Sequence, residues 1–445
     1  MKTGIRKTAD ASSVSSETRR PGNAFLQAVR ELSDQIVEAQ RPIRILNAVQ
    51  WDEPSARAFI AGGCREPPAI GPDWYREHRP LGFDPEARRE QFQALEREVA
   101  RRVGQLSPLG GIMRRICREY RSVVFMLEAR GTPAFGRLAQ ELYGSAGDAF
   151  HAGDPTVADL GEMMEATLGR LSASEAIREE PRDIPAEEAV RRLAARLQAV
   201  YPEAGLRVKL SDGIAADAAA GTDYIKLREG AFFSERDLRV LEVHEGWVHL
   251  GTTINGMNQP WCTFLGKGPP SSTITQEGLG VLTEVMTMSS TPERLHRIVN
   301  RVRAITLAEQ GADFMEVFRF FRAKDCTPEE SYTYAARVFR GTGLSGPPFT
   351  KDIAYLKGFV LTFNFLRLAI GQGKLDRVHL LFAGKTVLED MRVLAELLAE
   401  GIVATPLHVP PLFADLRGLA AMLSFSRFLT GLDYAQLERD YAGVL

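Results

Sequence analysis

His244-Glu245-Gly246-Trp247-Val248-His249 places two of the chain's seven histidines five residues apart, with an acid directly after the first. Two neutral imidazoles and an adjacent carboxylate are the parts of a zinc hydrolase: ligands for the ion, and a base for the water it activates. The common spacing, HExxH, sets the histidines at i and i+4 on one helix face. Here they stand at i and i+5. On a regular α-helix five residues turn about 500°, which leaves the two rings about 140° apart. Both can face one ion only if the helix absorbs an extra residue, most simply as a π-bulge. Gly246, inside the interval, eases such a distortion. The motif therefore predicts a helical fold with a local defect between His244 and His249.

A zinc hydrolase uses three protein ligands and leaves a fourth position open. Downstream, Thr275-Gln276-Glu277-Gly278-Leu279-Gly280-Val281-Leu282-Thr283-Glu284 reads as a second helix. Thr273 or Thr275 is expected to cap it, with Glu277 in its first turn. Leu279, Val281, Leu282, Val285 and Met286 are expected to pack it into the core. Glu277 is the candidate third ligand. Glu284, seven residues on and on the same face, is a candidate partner for the far nitrogen of a ligand histidine.

The paired segments HEGWVH and TQEGLG resemble the HExxxH and QEGLA signatures of one metallopeptidase family. Its animal members are microtubule-associated tyrosine carboxypeptidases; its bacterial members carry the label flavohemoglobin expression-modulating QEGLA motif proteins. Further segments resemble the family in the same order: Ala129-Arg130-Gly131-Thr132-Pro133-Ala134-Phe135, Glu141-Leu142-Tyr143-Gly144, Asn255-Gly256 with Gln259-Pro260, Phe339-Arg340-Gly341, and Phe349 through Gly358. The likeness runs from about Asn47 to near the C-terminus. It implies one zinc ion per chain, held by His244, His249 and Glu277, with Glu245 catalytic. Gly280 replaces the family's alanine, a small change on its face. Trp247 and Val248 are larger than the family often has and are expected to alter the pocket wall.

The expected reaction is hydrolysis of a peptide or protein C-terminus, with Glu245 as general base and then acid. Tyr332, Tyr334, Arg340 and Tyr355 are candidate donors to the oxyanion. Arg340 and Lys351 are candidate cations for the substrate's terminal carboxylate, so Arg340, Lys351 and Tyr355 form the expected substrate-binding set. The competing readings are an exopeptidase of other specificity, such as one that trims N-terminal dipeptides through a similar HExxxH site, and a metal-dependent regulatory protein without turnover. His296, His379 and His408 are isolated and read as structural.

The 445 residues hold 44% hydrophobic and 25% charged residues with a net charge of −2, the composition of an ordinary soluble globular protein with no bulk affinity for nucleic acid. Four scattered cysteines form no CxxC and fit a reducing compartment; Cys262 reads as a core thiol rather than a ligand. Residues 1–22 are polar and basic without an apolar segment, and read as a disordered tail. Residues 23–177 carry helical spacing, with loop breaks expected around 64–72 and 107–111. Residues 178–185 look like a linker. Residues 186–445 form the expected catalytic region. Strand patterns occur only at 206–210 and 224–228, just before the motif helix and, for 224–228, expected near the cleft. Ser234 is the expected N-cap of that helix, with Asp237 in a capping-box position. The apolar stretch 359–370 is too short to span a bilayer. The expected fold is mostly α (α+β), a helical zincin-like metallopeptidase with a small sheet preceding the HExxxH helix, in a cytoplasmic protein without membrane or nucleic-acid partners.

Overall fold

The structure is a computed structural model that describes residues 22–172, 180–211, 217–221 and 224–443. Residues 1–21 of the expected tail, the start of the expected linker and most of the connection between the strands lie outside these residues. The fold is mostly helical with minor strand content.

The N-terminal helices follow from their apolar stripes. Asn23–Gln40 buries Val29, Leu32 and Ile36 at spacings of three and four, one face of a 3.6-residue period. Pro108–Glu128 buries Ile112, Ile116, Tyr120, Val123, Val124 and Leu127 in the same way. The expected loop break at 107–111 is instead the start of this helix. Ser107 accepts from the Gly110 amide as N-cap and Pro108 occupies the first turn, where a missing N–H costs nothing.

Among the described residues, five short strands form two sheets. β1 (Ile184–Pro185) pairs antiparallel with β5 (Phe232–Phe233), so the end of the expected linker is a strand. β2 (Arg207–Ser211), β4 (Tyr224–Arg228) and β3 (Ala218–Ala220) form the second, in the order β2-β4-β3, with β2 parallel and β3 antiparallel to β4. Ile225 and Leu227 of β4 are fully buried while Tyr224, Lys226 and Arg228 are not, the period-two pattern of a half-covered strand. Beneath them lies the helix Ala186–Val200, through Leu193 and Leu197.

Two helices carry the motifs, and they stand where three hydrophobic clusters meet. The first ligand helix runs as Glu235–Val240, Leu241–Leu250 and Gly251–Met257 without a break. It gives Val248 to a cluster that also holds Val29, Tyr120 and Phe382. It gives Val243, Trp247 and Leu250 to the cluster under the sheet. Trp247 and Val248 are thus core residues, not pocket wall. The second ligand helix, Ser272–Met286, gives Leu279 and Leu282 to the first cluster and Val281 to a third, built around Trp51, Phe59, Phe314 and Tyr332. The first and third clusters each draw residues from both sides of 177–186.

The second ligand helix crosses Ala354–Gly371 through a pair of glycines. A Cβ at Gly278 would lie 2.1 Å from the Gly358 backbone, and one at Gly358 would lie 2.1 Å from the Ile274 carbonyl oxygen. Only residues without a side chain allow the two backbones this close. The crossing corrects one expectation: with its leading 3₁₀ turn, the stretch Thr350–Gly371 is long and apolar enough to cross a membrane by length and composition. In the fold its first turns are a wall of the motif region and bear Lys351, Asp352 and Tyr355. Gly278→Ala or Gly358→Ala is expected to destabilise the protein by about 1–3 kcal/mol through overpacking. Gly169→Ala, exposed in a helix with nothing within 4 Å of the added Cβ, should instead stabilise by up to about 1 kcal/mol. Denaturant midpoints of the three variants check the contrast.

Candidate metal centre

Ser234 opens the first ligand helix with a complete capping box. Its hydroxyl accepts from the Asp237 amide at 3.0 Å and the Asp237 carboxylate accepts from the Ser234 amide at 2.9 Å. Seven residues later the hydrogen bonding widens: Leu241–Leu250 is a ten-residue π-helix, not a single bulge. The i→i+5 ladder brings residues five apart onto one face. The His244 and His249 rings meet edge to face with centroids 4.7 Å apart. Gly246 gives the wider turn room against the neighbouring helix, since a Cβ there would lie 2.2 Å from Leu197 Cδ2.

The second ligand helix begins at Ser272, with Ser271 at its cap position and no side-chain cap bond. Thr273 and Thr275 are therefore inside it, and Glu277 lies beyond the first turn, in contrast to the expected start. Val285 is on the exposed side. Glu277 Oε2 stands 3.4 Å from His244 Nε2 and 3.6 Å from His249 Nε2. These three side chains are a cluster whose ligand atoms all lie within 4.8 Å of one another. Ligands at 2.0–2.1 Å from a tetrahedral zinc ion sit about 3.3 Å apart, so the donor set and its spacing fit one such ion. The other oxygen, Glu277 Oε1, accepts from Lys351 Nζ at 2.9 Å, which leaves Oε2 as the free donor atom. Side-chain exposure is 3% for His244 and 17% for His249, so the cluster opens on the His249 side.

Behind the cluster stands a buried charge relay. His244 Nδ1 lies 2.6 Å from Glu284 Oε1. An ionised carboxylate only accepts, so Nδ1 carries the hydrogen and Nε2 points to Glu277. Glu284 also takes two bonds from Arg294, at 3.0 and 3.2 Å. Burial alone would raise the Glu284 carboxyl; the Arg294 charge and the His244 bond outweigh it and hold it down at about 2. Burial alone would depress His244; its bonds to Glu277 and Glu284 push it up to about 10. Glu277 is held well below the usual carboxylate range against its burial, by Lys351 and the two histidines.

Gly280 faces the His244 ring. A Cβ there would lie 2.5–2.7 Å from three ring atoms, closer than side-chain carbons approach. The change from the family's alanine is therefore not small: it sets how near the ring stands to the second ligand helix.

The remaining sequence candidates divide. Glu245, in the π-helix beside His244, is partly exposed, and its charge acts on His244, Arg294 and Lys385. Lys351 is drawn in, but as the partner of Glu277. The Tyr355 ring lies 6.4 Å from that of His244, between Lys351 at 5.8 Å and Arg301 at 5.3 Å. Arg340 packs over Phe349 at 5.5 Å, and burial and the nearby Arg337 lower its guanidinium to about 10. Tyr332 belongs to the aromatic cluster with Trp51, Phe59 and Phe314, and Tyr334 packs on Phe321. Cys262 is a buried thiol pushed up to about 12 by burial. His379 bonds the Phe413 carbonyl and His408 packs on Tyr201.

Sequence reasoning singled out Arg340 but missed Arg294, Arg301, Arg337 and Lys385. Arg337 pairs with Asp352 at 2.8 and 3.1 Å. Arg301 and Arg340 flank the same carboxylate electrostatically, and the Nε of each is buried without a hydrogen-bond partner among the described residues. Lys385 Nζ reaches the His249 carbonyl, Thr252 Oγ1 and Gln276 Oε1; burial drives its ammonium down to about 7. Only Gln276 carried a signal, being next to Glu277 in the motif.

A family model described as microtubule-associated tyrosine carboxypeptidase matches residues 57–431. No curated protein matches the chain.

Two outcomes are expected of the metal-free protein. His244 has a folded-state value raised above its ordinary 6.5; its stabilising effect is complete below 6.5 and is lost as pH rises toward 10. The proton must leave for an ion to bind. Apparent zinc affinity should therefore rise by about tenfold per pH unit from 6.5 upward, and the zinc-dependent gain in thermal midpoint should grow with it. Second, Glu284→Ala leaves the His244 Nδ1–H and the Arg294 guanidinium without their buried partner. It should cost about 3–5 kcal/mol of stability and about 10–100-fold in zinc affinity, measured by denaturant unfolding and chelator competition.

Proposed function

The chain belongs to the microtubule-associated tyrosine carboxypeptidase family, and from that premise we propose that it is a zinc-dependent metallocarboxypeptidase that removes the C-terminal residue of a peptide or protein. The observation that carries the reading is the convergence of His244, His249 and Glu277, with Glu245 directly beside a ligand on the π-helix. A structural zinc site has four protein ligands and no use for an adjacent base; three ligands and a free carboxylate suit turnover. The small sheet ahead of the first ligand helix is the further basis for reading the fold as zincin-like.

Zinc, when bound, would polarise the scissile carbonyl and lower the pKa of the attacking water. Glu245, beside the ligand His244, would take a proton from the attacking water and deliver it to the leaving amine. Glu284 and Arg294 hold the His244 ring with Nε2 outward, so that no reorientation is needed for binding. Lys351 donates one of its three N–H groups to Glu277 Oε1 and so orients that carboxylate. Of the arginines around Asp352, Arg337 is paired with it. That leaves Arg301 and Arg340, half-buried cations whose Nε has no hydrogen-bond partner among the described residues, to receive the substrate's terminal carboxylate. Tyr355, between Arg301 and the His244 ring, is the nearest of the expected oxyanion donors. The four cysteines are free thiols, which suits a reducing compartment; cytoplasmic action follows from this reading.

Peptides ending in tyrosine are the first substrates to try, given the family's description. Glu245→Gln should keep about one zinc per chain by elemental mass spectrometry and lose about 10²–10⁴-fold in turnover. Arg340→Met and Arg301→Met should raise KM for free-acid peptides, and amidating the peptide's C-terminus should abolish cleavage. Release of N-terminal dipeptides, or full activity in Glu245→Gln, would sink this reading.

A further inference from the structure

The loop that follows Leu381 is clamped to the end of the first ligand helix. Asn255 Nδ2 donates to the Phe382 carbonyl at 2.8 Å, and Gln259 Nε2 donates to the Ala383 carbonyl at 3.1 Å. The Lys385 amide bonds the Leu265 carbonyl at 2.7 Å. A Cβ at Gly384 would lie 2.6 Å from that same oxygen, so the backbone itself presses into the turn. The clamp delivers one side chain between the two ligand helices. Lys385 Nζ donates to the His249 carbonyl at 2.9 Å, to Gln276 Oε1 at 3.0 Å and to Thr252 Oγ1 at 3.2 Å. Thr252 Oγ1 also stands 2.8 Å from Gln276 Oε1, although its one hydrogen has a shorter path to the Val248 carbonyl at 2.6 Å.

The acceptors are telling. Toward the end of the π-helix three successive carbonyls take side-chain donors. Trp247 O accepts from the Tyr201 hydroxyl at 3.2 Å, Val248 O from Thr252 Oγ1 at 2.6 Å, and His249 O from Thr253 Oγ1 at 2.7 Å as well as from Lys385. The change of ladder at Gly251 is where backbone acceptors need outside donors. Lys385 therefore holds the carbonyl of one candidate ligand and the side chain of the residue preceding another. An ammonium has three N–H donors, and all three are used, so none is left for a substrate.

Resting on the reading of His244, His249 and Glu277 as a metal site, we propose that Lys385 is a positioning residue. Its bridge from the His249 carbonyl to Gln276 sets the register of the two ligand helices and hence the placement of His249 relative to Glu277. Glu284 and Arg294 fix His244 from behind; Lys385 does the equivalent work on the open, His249 side.

The test is a double-mutant cycle on the full-length protein with Lys385→Met and Gln276→Leu. Zinc affinity is read by chelator competition, and ligand geometry by the visible absorption of the cobalt-substituted protein. Circular dichroism of the metal-free forms reports folding. Each single variant is expected to weaken zinc binding by about 10–100-fold and to change the cobalt spectrum. The double variant should be no weaker than the worse single, because both break one bridge. Folded Lys385→Met with wild-type affinity and spectrum overturns the proposal, as do losses that simply multiply in the double variant. If Lys385→Met does not fold, Gln276→Leu alone decides by the same two readouts: a weakened site with a changed spectrum supports the bridge, an unchanged one overturns it. A wild-type protein that binds neither zinc nor cobalt overturns the metal-site reading, and this proposal with it.

Discussion

The i→i+5 hydrogen bonding of Leu241–Leu250 is the constraint on which the rest of the site depends. An α-helix would turn His244 and His249 away from each other; the wider ladder puts their rings 4.7 Å apart. A π-helix is an unfavourable backbone state, seldom sustained beyond one turn, and ten residues of it need support from outside. The fold supplies it on two sides. Val243, Trp247, Val248 and Leu250 are buried in two different cores, so unwinding the ladder would pull apolar side chains out of both. At its end, Tyr201, Thr252, Thr253 and Lys385 donate to carbonyls where the ladder changes back to α.

The second organising feature is a balance of buried charge. Glu277, Glu284 and Asp352 are each paired with a cation: Lys351, Arg294 and Arg337. Single buried charges are costly, while pairs with good geometry offset much of the desolvation. The consequence is orientation. One oxygen of Glu277 is held by Lys351 and the other turns to the two histidines; one nitrogen of His244 is held by Glu284 and the other turns to Glu277. Beyond Asp352 the cations outnumber the acids, and Arg301 and Arg340 keep an unsatisfied nitrogen. That surplus beside the His244, His249 and Glu277 cluster is what the proposed carboxylate anchor rests on.

Close packing ties the two features together. Gly278 and Gly358 let the second ligand helix lie against the helix that carries Tyr355, with Lys351 in the turn before it, and Gly280 lets the His244 ring lie against the second ligand helix. All three glycines sit in helices, where glycine is a poor choice by propensity. Backbone approach, not turn formation, is their purpose.

Much of this was legible in the chain. The i, i+5 spacing of His244 and His249 demanded a helix defect because the α-helical angle admits no other solution. Glu277 and Glu284 share a face because seven residues make nearly two turns. Ser234 and Asp237 announced the start of the helix, and alternation marked β2 and β4. Local geometry determines each of these, and local geometry can be read from sequence. Tertiary structure alone decided the rest. Pro108 and the two glycines after it read as a break until the Ser107 cap and the buried face of Pro108–Glu128 made them a helix start. Thr273 and Thr275 read as caps until packing extended the helix back to Ser272. Lys351 read as a candidate substrate cation, and only packing set it against Glu277. Arg294, Arg301, Arg337 and Lys385 looked like any other cations, because a charge carries no mark in sequence of which buried carboxylate or carbonyl it will meet. The sequence determined which residues could hold an ion; the long-range packing of three cores determined which atoms face it and what holds them there.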